Sequence, residues 1–377
     1  MKKINKGFII FIALILISLL CYIGLMVFAY SYKFNILLSA LFQILGVIIT
    51  LPLFVGVHEL GHMVFGLISG YSLLTFRIGP FEWYRRDGRV AFKLNPLSNF
   101  VLGQCLMSPP KLKKKEKPKF FLYNAGGLIF SYLFLLIGIG LFFILYKSNA
   151  KFILIPFISL SLFLTLNNSI YLKGGFNDVC NHVLVKNNPK YINSVLYQLE
   201  MISNIISGKR YGAKTFYEPY FEEKLNHITI PVAQFKFLQA VDKSDFAEAK
   251  RIAGILKRNY NRIPMPIQRV TIIFPILFTD IVIDQNIKEF KRHFNWIRTQ
   301  EKELCTKSDS DIKFNYLIYE KLSKDEFDIK DIIDSILNSD ILASGERLSL
   351  AKMYQFLLDK ITFYLENGKS FIKKESI

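Results

Sequence analysis

Cysteine is scarce in this chain: there are four in 377 residues, scattered at Cys21, Cys105, Cys180 and Cys305. No CxxC pair occurs, which excludes a thiolate zinc ribbon and a disulfide framework. Leu20 stands before Cys21 where a lipidated cysteine needs a small residue, so Cys21 reads as an ordinary packing residue. Acidic residues are nearly missing from the first half. Residues 1–182 hold five carboxylates, Glu59, Glu82, Asp87, Glu116 and Asp178, against 18 Lys and Arg. Residues 183–377 are almost balanced, with 25 acidic and 30 basic residues. No basic stripe is interleaved with aromatic residues, so nucleic acid is not an expected partner. What the first half has instead is long apolar runs, and basic excess gathered around such runs points to a lipid bilayer and its anionic surface.

Four runs are long enough to span: Phe8–Tyr30, Ile36–Ile68, Phe120–Tyr146 and Phe152–Leu172. The first follows Lys2, Lys3 and Lys6, as a signal peptide would, but its apolar stretch is too long and no small-residue cleavage site closes it. The second, as a straight helix, measures about 50 Å against a hydrocarbon layer of about 30 Å, so it tilts, bends or protrudes. Pro52 and Gly56 offer a bend. Lys and Arg are concentrated at residues 77–119, including the run Lys111, Lys113, Lys114, Lys115, Lys117 and Lys119. That distribution predicts both termini in the cytoplasm and a multi-pass protein of the cell membrane.

Inside the second run stands His58-Glu59-Leu60-Gly61-His62. Histidines at i and i+4 share one helix face and can hold one zinc ion, with the intervening Glu59 placed as general base. His and Glu are costly in lipid and functional by default when found there. Zinc needs a third protein ligand and leaves a fourth position for water. Asp178, in Gly174-Gly175-Phe176-Asn177-Asp178-Val179 just past the fourth run, is the first candidate. His182, on the same face of a helix starting near Val179, is the alternative; Asp178 as a simple cap of that helix is the third reading. Asn124 and Asn168 lie in the third and fourth runs, where Asn either bonds a neighbouring helix or serves substrate and oxyanion.

HELGH in an apolar helix, a Gly-rich third helix and an Asp loop after a fourth together resemble the site-2 protease family of intramembrane zinc metalloproteases, over about residues 36–182. The resemblance implies His58, His62 and Asp178 as zinc ligands and Glu59 as activator of water. Asn177-Asp178 matches the second family motif, with Val179 where Gly is usual. Asn124-Ala125-Gly126-Gly127-Leu128-Ile129-Phe130-Ser131 is a loose counterpart of the family's third-helix stretch, with Ser131 near its Asn. No PDZ-like insertion is visible.

Between the second and third runs the period changes. Leu73–Ile78 and Arg89–Leu94 read as strands, with Asp87-Gly88 as their hairpin turn. An edge strand there either binds an extended substrate or only shapes the surface. From Asn181 onward the pattern is helical. Phe235–Ala240 and Phe246–Leu256 form a helix hairpin across Asp242–Asp245, similar to a tetratricopeptide-like unit but without a period of about 34 residues. Phe274–Phe278 is too short to span and reads as core. His227 and His293 lack ligand-spaced partners, Asp309-Ser310-Asp311 marks a turn, and the segment after Asn367 is polar.

The expected fold is therefore mainly α: a polytopic core of about four spans over residues 1–182, a small cytoplasmic β-hairpin, and a cytoplasmic α-helical domain over 183–377. The expected function is a zinc-dependent intramembrane endopeptidase acting on membrane-spanning or signal-peptide-like segments near the cytoplasmic face, with a cytoplasmic regulator docking on the C-terminal domain. Two alternatives stay open: a non-proteolytic membrane scaffold of the same fold, and a membrane factor for maturation of, or immunity to, a secreted peptide.

Overall fold

A computed structural model of the protein describes residues 6–29, 35–86, 89–94, 102–111, 118–171, 177–263, 266–300, 302–306, 311–324, 326, 328–339, 342 and 344–366. The Asp87-Gly88 turn, Lys113–Lys117, Gly174–Phe176, Asp309-Ser310 and the segment after Asn367 lie outside the described residues, as do Lys2 and Lys3. The chain forms two compact units, Met1–Arg85 with Arg89–Ile192 and Asn193–Ile377 with Arg86–Gly88.

Among the described residues, the first unit contains four helices long and apolar enough to cross a membrane. They are α1 (Lys6–Ala29), α2 (Ile36–Ile68), α3 (Phe120–Ile144) and α4 (Lys151–Ser169). Helices suit lipid because they satisfy every backbone group internally. Asn35 caps α2, its side chain accepting from the Leu38 N–H at 3.1 Å. Apolar surface gives no drive for helices to associate in lipid, so contact rests on close packing of small residues. Gly61 and Gly126 supply it where α2 meets α3: a Cβ on Gly61 would stand 2.2 Å from the Gly126 carbonyl oxygen. Gly46 does the same against Ile153 and Pro156 of α4. Phe142, Phe152, Ile155 and Ile158 fill the space between α3 and α4.

Among the described residues, four strands, not two, lie between α2 and α3: β1 (Ser72–Ile78), β2 (Phe81–Arg86), β3 (Arg89–Leu94) and β4 (Gly103–Ser108). Their order is β3-β2-β1-β4, and both β2 and β4 run antiparallel to β1. The expected partner of β3 is thus corrected from β1 to β2. The strand just before Asp87-Gly88 is β2, and β1 turns into it at Gly79, which takes φ 54°. The fourth strand, Gly-Gln-Cys-Leu-Met-Ser, has no β-branched residue to announce it. A short helix, α5 (Asp178–Asn187), completes the unit.

The second unit is helical: α6 (Tyr191–Ile206), α7 (Thr229–Asp242), α8 (Phe246–Asn259), α9 (Pro266–Phe278), α10 (Ile287–Gln300), α11 (Lys302–Thr306), α12 (Asp311–Ser323), α13 (Lys330–Leu337) and α14 (Ser344–Glu366). The α7–α8 hairpin turns at Ser244, with φ 61°, and Asp245 caps α8 by accepting from Glu248 N–H at 3.1 Å. Phe274, Ile276, Leu277 and Phe278 are buried, as a core reading requires. One π-helical turn, Thr279–Ile283, follows α9 and holds buried Asp280, whose Oδ2 lies 2.7 Å from His293 Nδ1.

Candidate metal centre

His58 and His62 are one helical turn apart on the buried face of α2. Their Nε2 atoms stand 3.3 Å apart. Asp178, the first residue of α5, brings its Oδ2 to 3.2 Å from His58 Nε2 and 3.4 Å from His62 Nε2. These three residues form the one group among the described residues whose donor atoms converge as a metal site requires. His182 is not part of it; its ring packs 4.8 Å from that of Phe121.

The outer nitrogens fix which ring nitrogen keeps its proton. His62 Nδ1 lies 3.1 Å from the Tyr123 carbonyl oxygen, which can only accept, so Nδ1 carries the hydrogen. His58 Nδ1 lies 2.9 Å from Ser131 Oγ, and the Ser131 hydroxyl donates to the Gly127 carbonyl at 2.9 Å. Ser131 therefore accepts from His58. Both Nε2 atoms are left facing the carboxylate, and Asp178 Oδ2 is buried without a hydrogen-bond partner. Two imidazole nitrogens and a carboxylate oxygen converging in this way suit a cation, and anchored outer nitrogens are the usual support of such a site.

Three features hold this arrangement. Gly127 leaves space over the rings: a Cβ there would stand 2.4 Å from His62 Nε2 and 2.7 Å from His58 Cε1. Asn177, not Asp178, caps α5, accepting from Cys180 N–H at 2.9 Å. Its amide also donates to the carbonyls of Asn167 at 2.7 Å and Ile170 at 2.9 Å, tying the Asp178 segment to the end of α4. Asn124 donates to the Asp178 carbonyl at 2.8 Å, which ties the same segment to α3. Asn168 is half-buried in the last turn of α4.

Strand β4 closes one side. Gly103 lies against Glu59, since a Cβ at 103 would stand 2.8 Å from Glu59 Oε1. Tyr123 donates its hydroxyl to the Cys105 carbonyl at 2.9 Å and stacks on Tyr71 at 4.9 Å. Burial, helped by the Glu59 charge, pushes the Cys105 thiol up to about 12, and Cys105 is not one of the three converging residues.

The sequence reading missed the roles of Tyr123 and Gly127 beside the rings. Asn124, Gly127 and Ser131 follow i, i+3, i+7 spacing on one face of α3, which was the available signal. The family model for Peptidase family M50 matches residues 46–287, more than half of the chain and inclusive of all three converging residues. The chain belongs to peptidase family M50. No curated protein and no solved structure matches it. Membership with four apolar helices makes this M50 protein a multi-pass membrane metalloprotease at family level.

Proposed function

We propose that this M50 protein is a zinc-dependent intramembrane endopeptidase with His58, His62 and Asp178 as zinc ligands. The observation that carries the reading is the convergence of their donor atoms at 3.2, 3.3 and 3.4 Å. Ligand atoms about 2.0–2.2 Å from a tetrahedral zinc ion stand about 3.3–3.6 Å apart. Zinc there would supply Lewis acidity, bringing the ionisation of water to about pH 7. Glu59, flanked by the two ligands on α2, takes the proton from the attacking water and returns it to the leaving amine. Asn168 is the candidate donor to the developing oxyanion; Asn124, bonded to Asp178, serves the ligand segment instead.

The substrate class is a membrane-spanning or signal-peptide-like segment, whose helix must unwind because helical amides are already hydrogen-bonded. An extended peptide suits β4, an edge strand whose Gly103 borders Glu59. Basic residues at 77–119 favour a site near the cytoplasmic face of the cell membrane, both termini cytoplasmic, and the second unit available to a cytoplasmic regulator.

Metal analysis paired with cleavage of membrane peptides by wild type and Glu59→Gln tests the reading. Zinc in both proteins and cleavage by wild type alone is expected. Equal cleavage by both overturns the role of Glu59, and wild type without zinc or cleavage leaves the non-proteolytic scaffold.

A further inference from the structure

Strand β4 turns two main-chain groups toward the side chain proposed as general base. In an antiparallel ladder, residues that bond the partner strand alternate with residues whose N–H and C=O point away from it. Gly79 N–H donates to the Leu102 carbonyl at 2.7 Å, and the register sets Arg77 opposite Gln104 and Phe76 opposite Cys105. Gln104 therefore bonds β1, and both main-chain groups of Cys105 point toward the free edge of β4. Buried main-chain groups need partners, and both of these have one. The Cys105 carbonyl accepts from the Tyr123 hydroxyl at 2.9 Å. The Cys105 N–H donates to the Glu59 carboxylate. Glu59 lies across this part of the strand, since a Cβ on Gly103 would meet its Oε1 at 2.8 Å and its Cγ at 3.0 Å.

We infer that the Cys105 main-chain amide positions Glu59, and that Tyr123 is the positioning residue that fixes this amide relative to His62. The inference rests on the protease reading and names what orients its base. A base displaced by about 1 Å loses on the order of 100-fold in rate. The Glu59 side chain is flexible, and a charge-assisted hydrogen bond from a paired strand removes that freedom. Tyr123 then joins the two halves of the site. Its carbonyl accepts from His62 Nδ1 at 3.1 Å, while its hydroxyl holds the strand that holds Glu59. The ring is buried and stacked on Tyr71, so the phenol is a fixed spacer. Cys105 is thereby closed to an added strand, and a peptide joining β4 beside Glu59 pairs at Gly103.

The chain has four cysteines, so full-length protein labelled with nitrogen-15 cysteine gives four main-chain amide signals in detergent micelles. Loss of one signal in Cys105→Ser assigns Cys105. Deuterium exchange of that amide is compared in wild type, Glu59→Ala and Tyr123→Phe. Exchange at Cys105 about 10–100-fold faster in both variants, with the other three cysteines unmoved, is expected from the worth of a hydrogen bond to a charged acceptor. Equally slow exchange in wild type and Glu59→Ala overturns the inference, because burial alone then shields the amide. Rapid exchange in wild type overturns it too. Where Glu59→Ala fails to fold, Tyr123→Phe decides alone. In cleavage of a membrane-spanning peptide, Tyr123→Phe should lower kcat on the order of 10–100-fold. KM and zinc content should hold, because the carbonyl that supports His62 is kept. Loss of zinc, or an unchanged kcat, overturns the role of the hydroxyl. Exchange is read without cleavage, so its failure is separate from failure of the protease reading.

Discussion

His58 Nδ1 and Ser131 Oγ, 73 residues apart in the chain, meet at 2.9 Å in the membrane unit. Because the Ser131 hydrogen is committed to the Gly127 carbonyl, Ser131 holds His58 in the tautomer that frees Nε2. Ser131→Ala should therefore weaken zinc binding by about 10–100-fold, the usual effect of losing such a support. Competition against a chromophoric chelator measures this. Ser131→Thr, which keeps the hydroxyl, should restore most of the affinity. Equal affinity in the alanine variant would mean that helix packing alone orients the ring.

Gly127→Ala should abolish metal binding with little change in helix content. Its Cβ would stand 2.4 Å from His62 Nε2, in the space a ligand-bound ion needs. Metal content by elemental analysis and far-ultraviolet circular dichroism together separate this from unfolding.

Asn177→Ala removes a helix cap and two bonds to the end of α4 at once. A lost cap costs about 1 kcal/mol. A lower thermal midpoint is expected together with weaker zinc binding, because the cap is the residue before Asp178. A lower midpoint with unchanged zinc affinity would assign Asn177 to stability alone.

In the second unit, burial pushes the His227 imidazole down from 6.5 to about 4. The unfolded chain takes up a proton near pH 6.5 and the folded chain only near pH 4, so protons favour the unfolded state between them. The stability of this unit should be full above about pH 6.5 and fall by on the order of 1–3 kcal/mol as pH drops to about 4. Denaturant unfolding at a series of pH values tests it, and His227→Gln should flatten the profile.

The spanning helices were legible because about twenty consecutive apolar residues have few other meanings. His58, Glu59 and His62 were legible because a fixed local spacing carries their chemistry. Asp178 was reached from its place just past the fourth run in a stretch poor in acids, and the resemblance implied the same role; its meeting with α2 is a tertiary fact. The support from the Tyr123 carbonyl could not be read, since backbone groups have no sequence code. Strand β4 escaped because its six residues include Gly, Gln and Ser and lack β-branching. The partner of β3 was misassigned because a turn pairs whichever strands flank it, and β2 was not recognised as one.

Gly61 directly precedes His62, and Gly127 directly follows Gly126. Where these neighbours meet, two bare main chains touch, with a Cβ on Gly126 falling 2.3 Å from the Gly61 oxygen. Peptide planes do not compress, and no flexible side chain lies between them to yield. The room for a cation at the proposed site would thereby be gauged by backbone thickness, and an ion of calcium's size, which takes six to eight oxygens at about 2.3–2.6 Å, would be disfavoured by rigidity as much as by donor type.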